Sequence, residues 1–236
     1  METRKKVRFT IKLQLLLGLV GVALIPAIIL AFISHTSEEK IILKMVEEHL
    51  NGVTENLLNI CSTCYEMNQR TINNNLNVAT HFVEGKVELS SEDPLKWTVE
   101  NQVTRETLTK SIPKMLIKKY VVSGDTMLVD KITQMVGGAV TIFQVMQNPN
   151  GLLRISTSAK KKDGTRGIGT FIPDNSPVYK SIVNGRFFRG VAYVVDDWYI
   201  SAYKPLFDSD YKVIGAVYVG VKQTELNILK EKFSSL

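Results

Sequence analysis

Residues 139–157 read AVTIFQVMQNPNGLLRIST. Val140–Met146 and Leu152–Thr157 are runs rich in Val, Ile, Phe and Thr, parted by Asn148-Pro149-Asn150-Gly151. β-branched and aromatic side chains suit a pleated, half-buried backbone, and an Asn/Pro/Gly cluster between two such runs reads as a turn. The pattern continues with Gly167–Ile172, Phe187–Val195, Trp198–Leu206 and Val213–Val221. Lys161-Lys162-Asp163-Gly164, Asp196-Asp197 and Asp208-Ser209-Asp210 mark further turns. Ser176–Asn184 reads as a short helix between strands, with Pro177 in its first turn and Gly185 past its end. Connections this short favour antiparallel neighbours. The expectation is a single twisted antiparallel sheet over 139–222.

Upstream, residues 84–138 are mixed. A short helix is expected around Trp97–Leu108, broken at Ser111-Ile112-Pro113, and another over Val129–Val136, stopped by Gly137-Gly138. Before that the period is helical. Ile42, Met45, Val46, His49, Leu50, Val53, Leu57, Ile60, Cys61, Cys64, Ile72, Leu76, Ala79 and Phe82 recur at steps of three and four among Glu, Lys, Asn and Thr. One long helix over 34–83 is expected, with a break at Gly52 as the alternative. A stripe this long exceeds what one small domain can cover, so its first half is expected to pack on a second copy in a homodimer.

Leu13–Ile33, LQLLLGLVGVALIPAIILAFI, carries no charge. Twenty-one helical residues span about 31 Å, the thickness of a bilayer's hydrocarbon core. A signal-peptide core is usually only about 7–15 residues long, so an uncleaved transmembrane signal anchor is expected. The twelve residues before it hold five Lys and Arg and one Glu, +4 of the chain's net +6. That places the N-terminus in the cytoplasm and the chain after residue 33 outside. It also makes the basic balance a membrane signal rather than a nucleic-acid footprint. The expected organisation is a basic tip at 1–12, a span at 13–33, a folded domain at 34–222 and a short amphipathic tail at 223–236, an α+β chain.

Composition limits the chemistry. His35, His49 and His81 are the only histidines and all precede the sheet, which also lacks cysteine. No nucleophile–base pair or paired carboxylates fall on one strand face, so no enzyme is expected. No metal site and no cofactor are expected either. Cys61-Ser-Thr-Cys64 is followed by Tyr65, not the histidine a haem-attachment motif needs. Two thiols in an apolar helical stripe are one reading, an inter-subunit disulfide or redox pair the other.

Several short segments then carry a resemblance in order. They are Trp97, Asn101-Gln102, Val129-Asp130, GGAVTIFQ at 137–144, LRIST at 153–157 and DGTRGIGTFIP at 163–173. SPV at 176–178, GVAYVV at 190–195, WYISAYKP at 198–205 and GAVYVGV at 215–221 complete the series. Over about residues 34–222 this resembles a Cache sensor domain, of the fused Cache three/Cache two type found in bacterial chemoreceptors and sensor kinases. The resemblance implies a long N-terminal helix packed on a PAS-like antiparallel sheet. It implies an extracytoplasmic module that binds a small organic ligand, often a short carboxylate, and signals through an output domain or partner protein. A second span and an output domain are absent from this chain, so it reads either as a piece of a longer receptor or as a sensor acting through a partner.

Carboxylate capture needs fixed donors, and a guanidinium grips both oxygens. Arg154, Arg166 and Arg189 are the candidates on strands, with Lys204 as a point charge. Strand alternation puts Arg154 with Leu152 and Ser156, Lys204 with Trp198, Ile200 and Ala202, and Tyr199 with Ser201 and Tyr203. Arg154 is read either as a ligand contact or as a structural or exposed cation. Tyr199 and Tyr203 could orient a polar ligand, Trp198 could wall the pocket, and Asp130 could accept an amine. Each has a packing, capping or ion-pair alternative.

Overall fold

The computed structural model describes the backbone of residues 11–223 and, in the first helix, the side chains of 19, 20, 22, 24–32 and 40 onward. The tail at 224–236 and most of the basic tip lie outside the described residues. So do the side chains of 13–18, 21, 23 and 33 in the expected span. Among the described residues no helix is long and apolar enough to cross a membrane.

Helix α1 runs Ile11–Val83 with Pro26 inside it and no break at Gly52. The chain divides into two compact units, Met1–Cys64 and Tyr65–Leu236. In the first, the apolar positions Ile42, Met45, Val46, Leu50, Val53, Leu57 and Ile60 are all exposed. Cys61 and Cys64 are free thiols, the former exposed.

The second unit holds the last turns of α1 and a nine-stranded sheet. After α1 come β1 (Val87–Asn101), β2 (Thr107–Ile117), β3 (Tyr120–Val121), α2 (Met127–Val136), β4 (Ala139–Met146) and β5 (Gly151–Thr157). Then follow β6 (Thr170–Pro173), α3 (Pro177–Val183), β7 (Phe188–Val194), β8 (Asp197–Phe207) and β9 (Val213–Lys222). The sheet order is β3-β2-β1-β6-β5-β4-β9-β8-β7. Gly137 ends α2 in the left-handed conformation, its N–H donating to Thr133 O. Ser176 caps α3 by accepting from the Val178 N–H at 3.2 Å, with Pro177 at the first helical position.

Two expectations need correction. Trp97–Leu108 is not a helix; it is the end of β1, a turn and the start of β2, which pair antiparallel from Val87↔Ile117 to Glu100↔Thr107. Leu95, Trp97 and Val99 alternate inward with exposed Lys96 and Thr98, a period of two that outweighs the helical spacing of Trp97, Asn101 and Leu108. The polar Ser90–Pro94 stretch is a register shift inside β1, and Pro113 lies opposite it, where its missing N–H costs no ladder bond. The sheet is also mixed, not wholly antiparallel. The end of β1 pairs parallel with β6 through Glu100↔Thr170 and Asn101↔Phe171. Short connections constrain consecutive strands only, and β1 meets β6 across four intervening strands and α2.

Each face of the sheet has its own core. The first packs Ile72, Leu76, Ala79 and Val83 of α1 and Val129 and Ile132 of α2 against Val140, Ile142, Leu153, Ile155, Val217 and Val219. The second packs Val178 and Ile182 of α3 against Phe143, Leu152, Ile172, Val194, Val195, Tyr199, Tyr203 and Tyr218.

Candidate functional site

The second face carries a buried guanidinium and three buried phenols, which the first does not. Arg154 projects into it beside Phe143, its cross-strand partner. Next to Phe143 on β9 stands Ala216, then Tyr218 across from Thr141, and Tyr203 lies opposite Tyr218 on β8. Ser201 and Tyr199 follow on the same face of β8 by alternation. The expected grouping of Tyr199, Ser201 and Tyr203 therefore holds, and Lys204 shares the other face with Ile200 and Ala202. Ser156 does not accompany Arg154. A bulge takes the register from Ile142↔Ser156 to Phe143↔Arg154. Ser156 thus faces the first core with Ile142, and its hydroxyl bonds Asp125 O at 2.5 Å.

Arg154 is fully buried. Its Nη1 donates to Thr170 Oγ1 at 2.6 Å and its Nη2 to Gln102 Oε1 at 2.9 Å. Its guanidinium carbon stands 5.0 Å from the Phe143 ring centre, a cation–π contact in a dry setting. No carboxylate among the described residues pairs with it. Its Nε is an unpartnered buried atom, as are the hydroxyls of Tyr203 and Tyr218. The two phenol rings sit 4.7 Å apart, each near Phe143. Burial pulls the Arg154 pKa below its ordinary value, against the three nearby phenols, Tyr203 foremost, which push it up. Burial also pushes both phenols up, Tyr218 well above its ordinary value. The Ser201 hydroxyl favours both phenolates to a lesser degree but makes a hydrogen bond with neither.

A cavity of about 310 Å³ opens beside this cluster, lined by Tyr199, Gly220, Ser158, Lys160 and Lys222 among others. Gly220 separates it from the Tyr218 hydroxyl, and a Cβ at Gly220 would come within 2.0 Å of that oxygen. Only glycine lets the phenol approach so closely. A second cavity of about 400 Å³ lies among β2, the end of β4 and the start of β9, near Gln144 and Lys212.

The remaining candidates stand elsewhere. Arg166 and Asp130 face each other in a two-pronged ion pair at 2.8 and 2.9 Å, with Arg166 Nη1 also donating to Thr157 O. Arg189 donates to Asn73 Oδ1 of α1 at 2.7 Å and lies over the Phe187 ring. Lys204 approaches the same ring at 5.9 Å. Trp198 packs edge-on against Tyr193 and is half exposed. The structure thus gathers Arg154, Tyr199 and Tyr203 and sets the other five apart from them. Tyr218, Gln102 and Thr170 were missed as site residues, although period-two counting from Ala216 and Tyr203 was enough to put Tyr218 on this face.

Residues 35–236 match the Cache 3/Cache 2 fusion domain. The chain belongs to that family. Cache domains are extracytoplasmic sensor modules of signalling receptors that bind small molecules, and the family is a non-enzymatic one. The α+β architecture, a long helix beside a sheet, is the Cache architecture. Among solved structures, the sensor domain of E. coli DcuS is similar over 42% of this chain and 67% of its own, at 17% identity and a TM-score of 0.32. No curated protein matches the chain.

Proposed function

We propose that this Cache domain is the ligand-sensing part of a membrane-anchored, chemotaxis-type bacterial receptor, and that it binds a short carboxylate at Arg154. One observation carries the reading: a fully buried guanidinium has no acid among the described residues to balance it and keeps Nε free beside two unpartnered phenols. Burying a cation unpaired costs several kcal/mol. A carboxylate arriving there supplies the missing charge and takes charge-assisted bonds from Nε–H and the phenolic O–H groups. Every free group in the cluster can donate and none is a carboxylate, so an ammonium finds no counter-charge there and is repelled by the guanidinium.

The anchor is the segment 13–33, with residues 1–12 in the cytoplasm and the domain outside. Its described side chains from Leu19 to Phe32 are apolar and exposed, which supports burial in lipid. The exposed stripe from Ile42 to Ile60 supports a homodimer through the long helix. Within the domain, among the described residues, hydrogen bonds tie α1 to β7 and to α2: Arg189 to Asn73, and Asn75 Nδ2 to Val136 O at 3.0 Å. Ligand-driven repacking at the sheet reaches the helix through such contacts. Helix shifts in comparable switches are about 1–2 Å. The signal requires the ligand to favour one packing over the other, and a partner or output protein reads it.

Thermal melts of the full chain in detergent, with short mono- and dicarboxylates against matched amines, test this. A carboxylate at 100 times its Kd adds about 2.7 kcal/mol, a rise of roughly 5–10 °C for a domain of this size. Arg154→Met is expected to fold and to lose the rise. A full rise in Arg154→Met, or none with any carboxylate, contradicts the assignment. The second outcome leaves a structural module using the Cache fold without a ligand.

A further inference from the structure

Arg154 has no exposed surface and lines neither cavity described above, so a ligand reaches it only if part of the shell of side chains around it, its chamber, moves. Two of its sides are costly to open. Beneath it, β4, β5, β8 and β9 are joined by antiparallel ladders, and α3 is packed into the same core. Another side is held differently. There the β1–β2 turn, residues 102–106, is tied to β6 by the Gln102 N–H donating to Phe171 O at 3.1 Å, while Arg105 meets the β7–β8 turn and the neighbouring Glu100 meets the 160–167 hairpin through side chains.

Gln102 is the root of that contact. It is 6% exposed; Oε1 accepts from Arg154 Nη2, and Nε2 donates to Tyr193 O of β7 at 3.3 Å. Three residues on, Arg105 Nη1 pairs with Glu100 Oε1 at 3.0 Å and Nη2 with Asp196 Oδ1 at 2.5 Å. Glu100 Oε2 pairs with Lys161 Nζ at 2.8 Å, and Asp196 Oδ2 accepts from the Lys162 N–H at 3.0 Å. One chain of charges therefore clips three segments together. Beside it Val195, fully buried, sits at φ 60°, a conformation that β-branched residues rarely adopt. A Cβ on Gly167 would lie 2.6 Å from the Val195 side chain, so the two turns interlock only because Gly167 has none. Backbone held in such a conformation by its surroundings is released when they part.

We propose that the β1–β2 turn is the lid of the Arg154 chamber and that the Arg105–Asp196 ion pair is its latch, with Gln102 linking the latch to the guanidinium. The proposal rests on the chamber being the ligand site, but opening can be measured without any ligand. A side-on carboxylate on the free Nε also needs Nη2, the donor Gln102 now holds. Ligand capture thus competes with the Gln102 bond, and through Tyr193 O it reaches β7.

The test introduces Thr170→Cys, a 1% exposed position hydrogen-bonded to Arg154, into the full chain carrying Cys61→Ser and Cys64→Ser. The rate of modification by a charged methanethiosulfonate reagent reports lid opening. Asp196→Asn and Arg105→Gln are each expected to raise that rate about tenfold, and Asp196→Glu, which keeps the charge, to stay within about threefold of the parent. Melting temperatures confirm that each variant is folded. Equal rates in all four overturn the latch and direct access to the cavity beside Gly220. If latch variants open the chamber yet no carboxylate shifts the melt of the native chain, the lid stands and the ligand assignment fails. If carboxylates bind but rates do not respond, the ligand assignment stands and the lid fails.

Discussion

At the scale of the residue, Tyr218 separates stability from binding. Its hydroxyl is buried and unpartnered, so Tyr218→Phe removes a desolvated group that returns nothing to the fold. The melting temperature should hold or rise, in line with about 1–3 kcal/mol for an unsatisfied buried polar group. Affinity for a carboxylate should fall about tenfold, the worth of one hydrogen bond; calorimetry of the parent and variant checks both. Arg154 follows the same logic, since replacing a buried ion by an apolar residue is often neutral or stabilising. Sites that bind by leaving charge unbalanced trade stability for function. From the sequence, residue type alone singled out Arg154, and alternation grouped Tyr199 with Tyr203. The bulge between Ile142 and Phe143 was not legible, because an extra residue in a run of apolar side chains leaves no mark in composition. That one bulge is what turns Ser156 away from the site.

At the scale of the element, the β1–β2 hairpin makes a pH prediction. A backbone bond from Lys162 and the Arg105 guanidinium hold the Asp196 carboxyl below its ordinary range, and Lys161 and Arg105 do so for Glu100. Carboxyls with lowered folded pKa values lend stability that is complete above their unfolded values and is lost as pH falls through the folded ones. Arg105 is raised by the same pairs, Asp196 first, and its contribution fades only at strongly alkaline pH. Asp196→Asn should therefore melt lower than the parent at neutral pH, by the equivalent of about 0.5–1 kcal/mol for a partly exposed pair. The gap should close in acid. Melts across pH decide it, and a gap that persists below the carboxylate range contradicts the assignment. The strands from β4 to β9 were legible because short β-branched runs alternate with Asn, Asp, Gly and Pro turns. The hairpin was not, because Ser90–Pro94 looks like a loop and is a bulge, and because Trp97 and Leu108 also fit a helical step. The parallel β1–β6 pairing is a long-range contact that no local pattern encodes.

At the scale of the whole molecule, α1 connects function to assembly. Leu50 and Leu57 are more than half exposed on its stripe, and apolar rows of that length are covered in a working assembly. Leu50→Glu with Leu57→Glu should convert a dimer to a monomer in sedimentation experiments while leaving the sheet domain's melting unchanged. A parent chain that is already monomeric removes the dimer. The long helical period and the apolar 13–33 segment were plain in the sequence, since periodicity and hydropathy are local properties. What the stripe packs against is a property of a second surface and is not written in the stripe itself.

The central claim is that the uncompensated guanidinium of Arg154 is a carboxylate receptor. The most direct measurement is calorimetric titration of short carboxylates into the full chain and into Arg154→Met. Saturable binding of one carboxylate per chain, absent from a variant that melts no lower than the parent, is the predicted result. Equal binding to both proteins, or none to the parent, contradicts it.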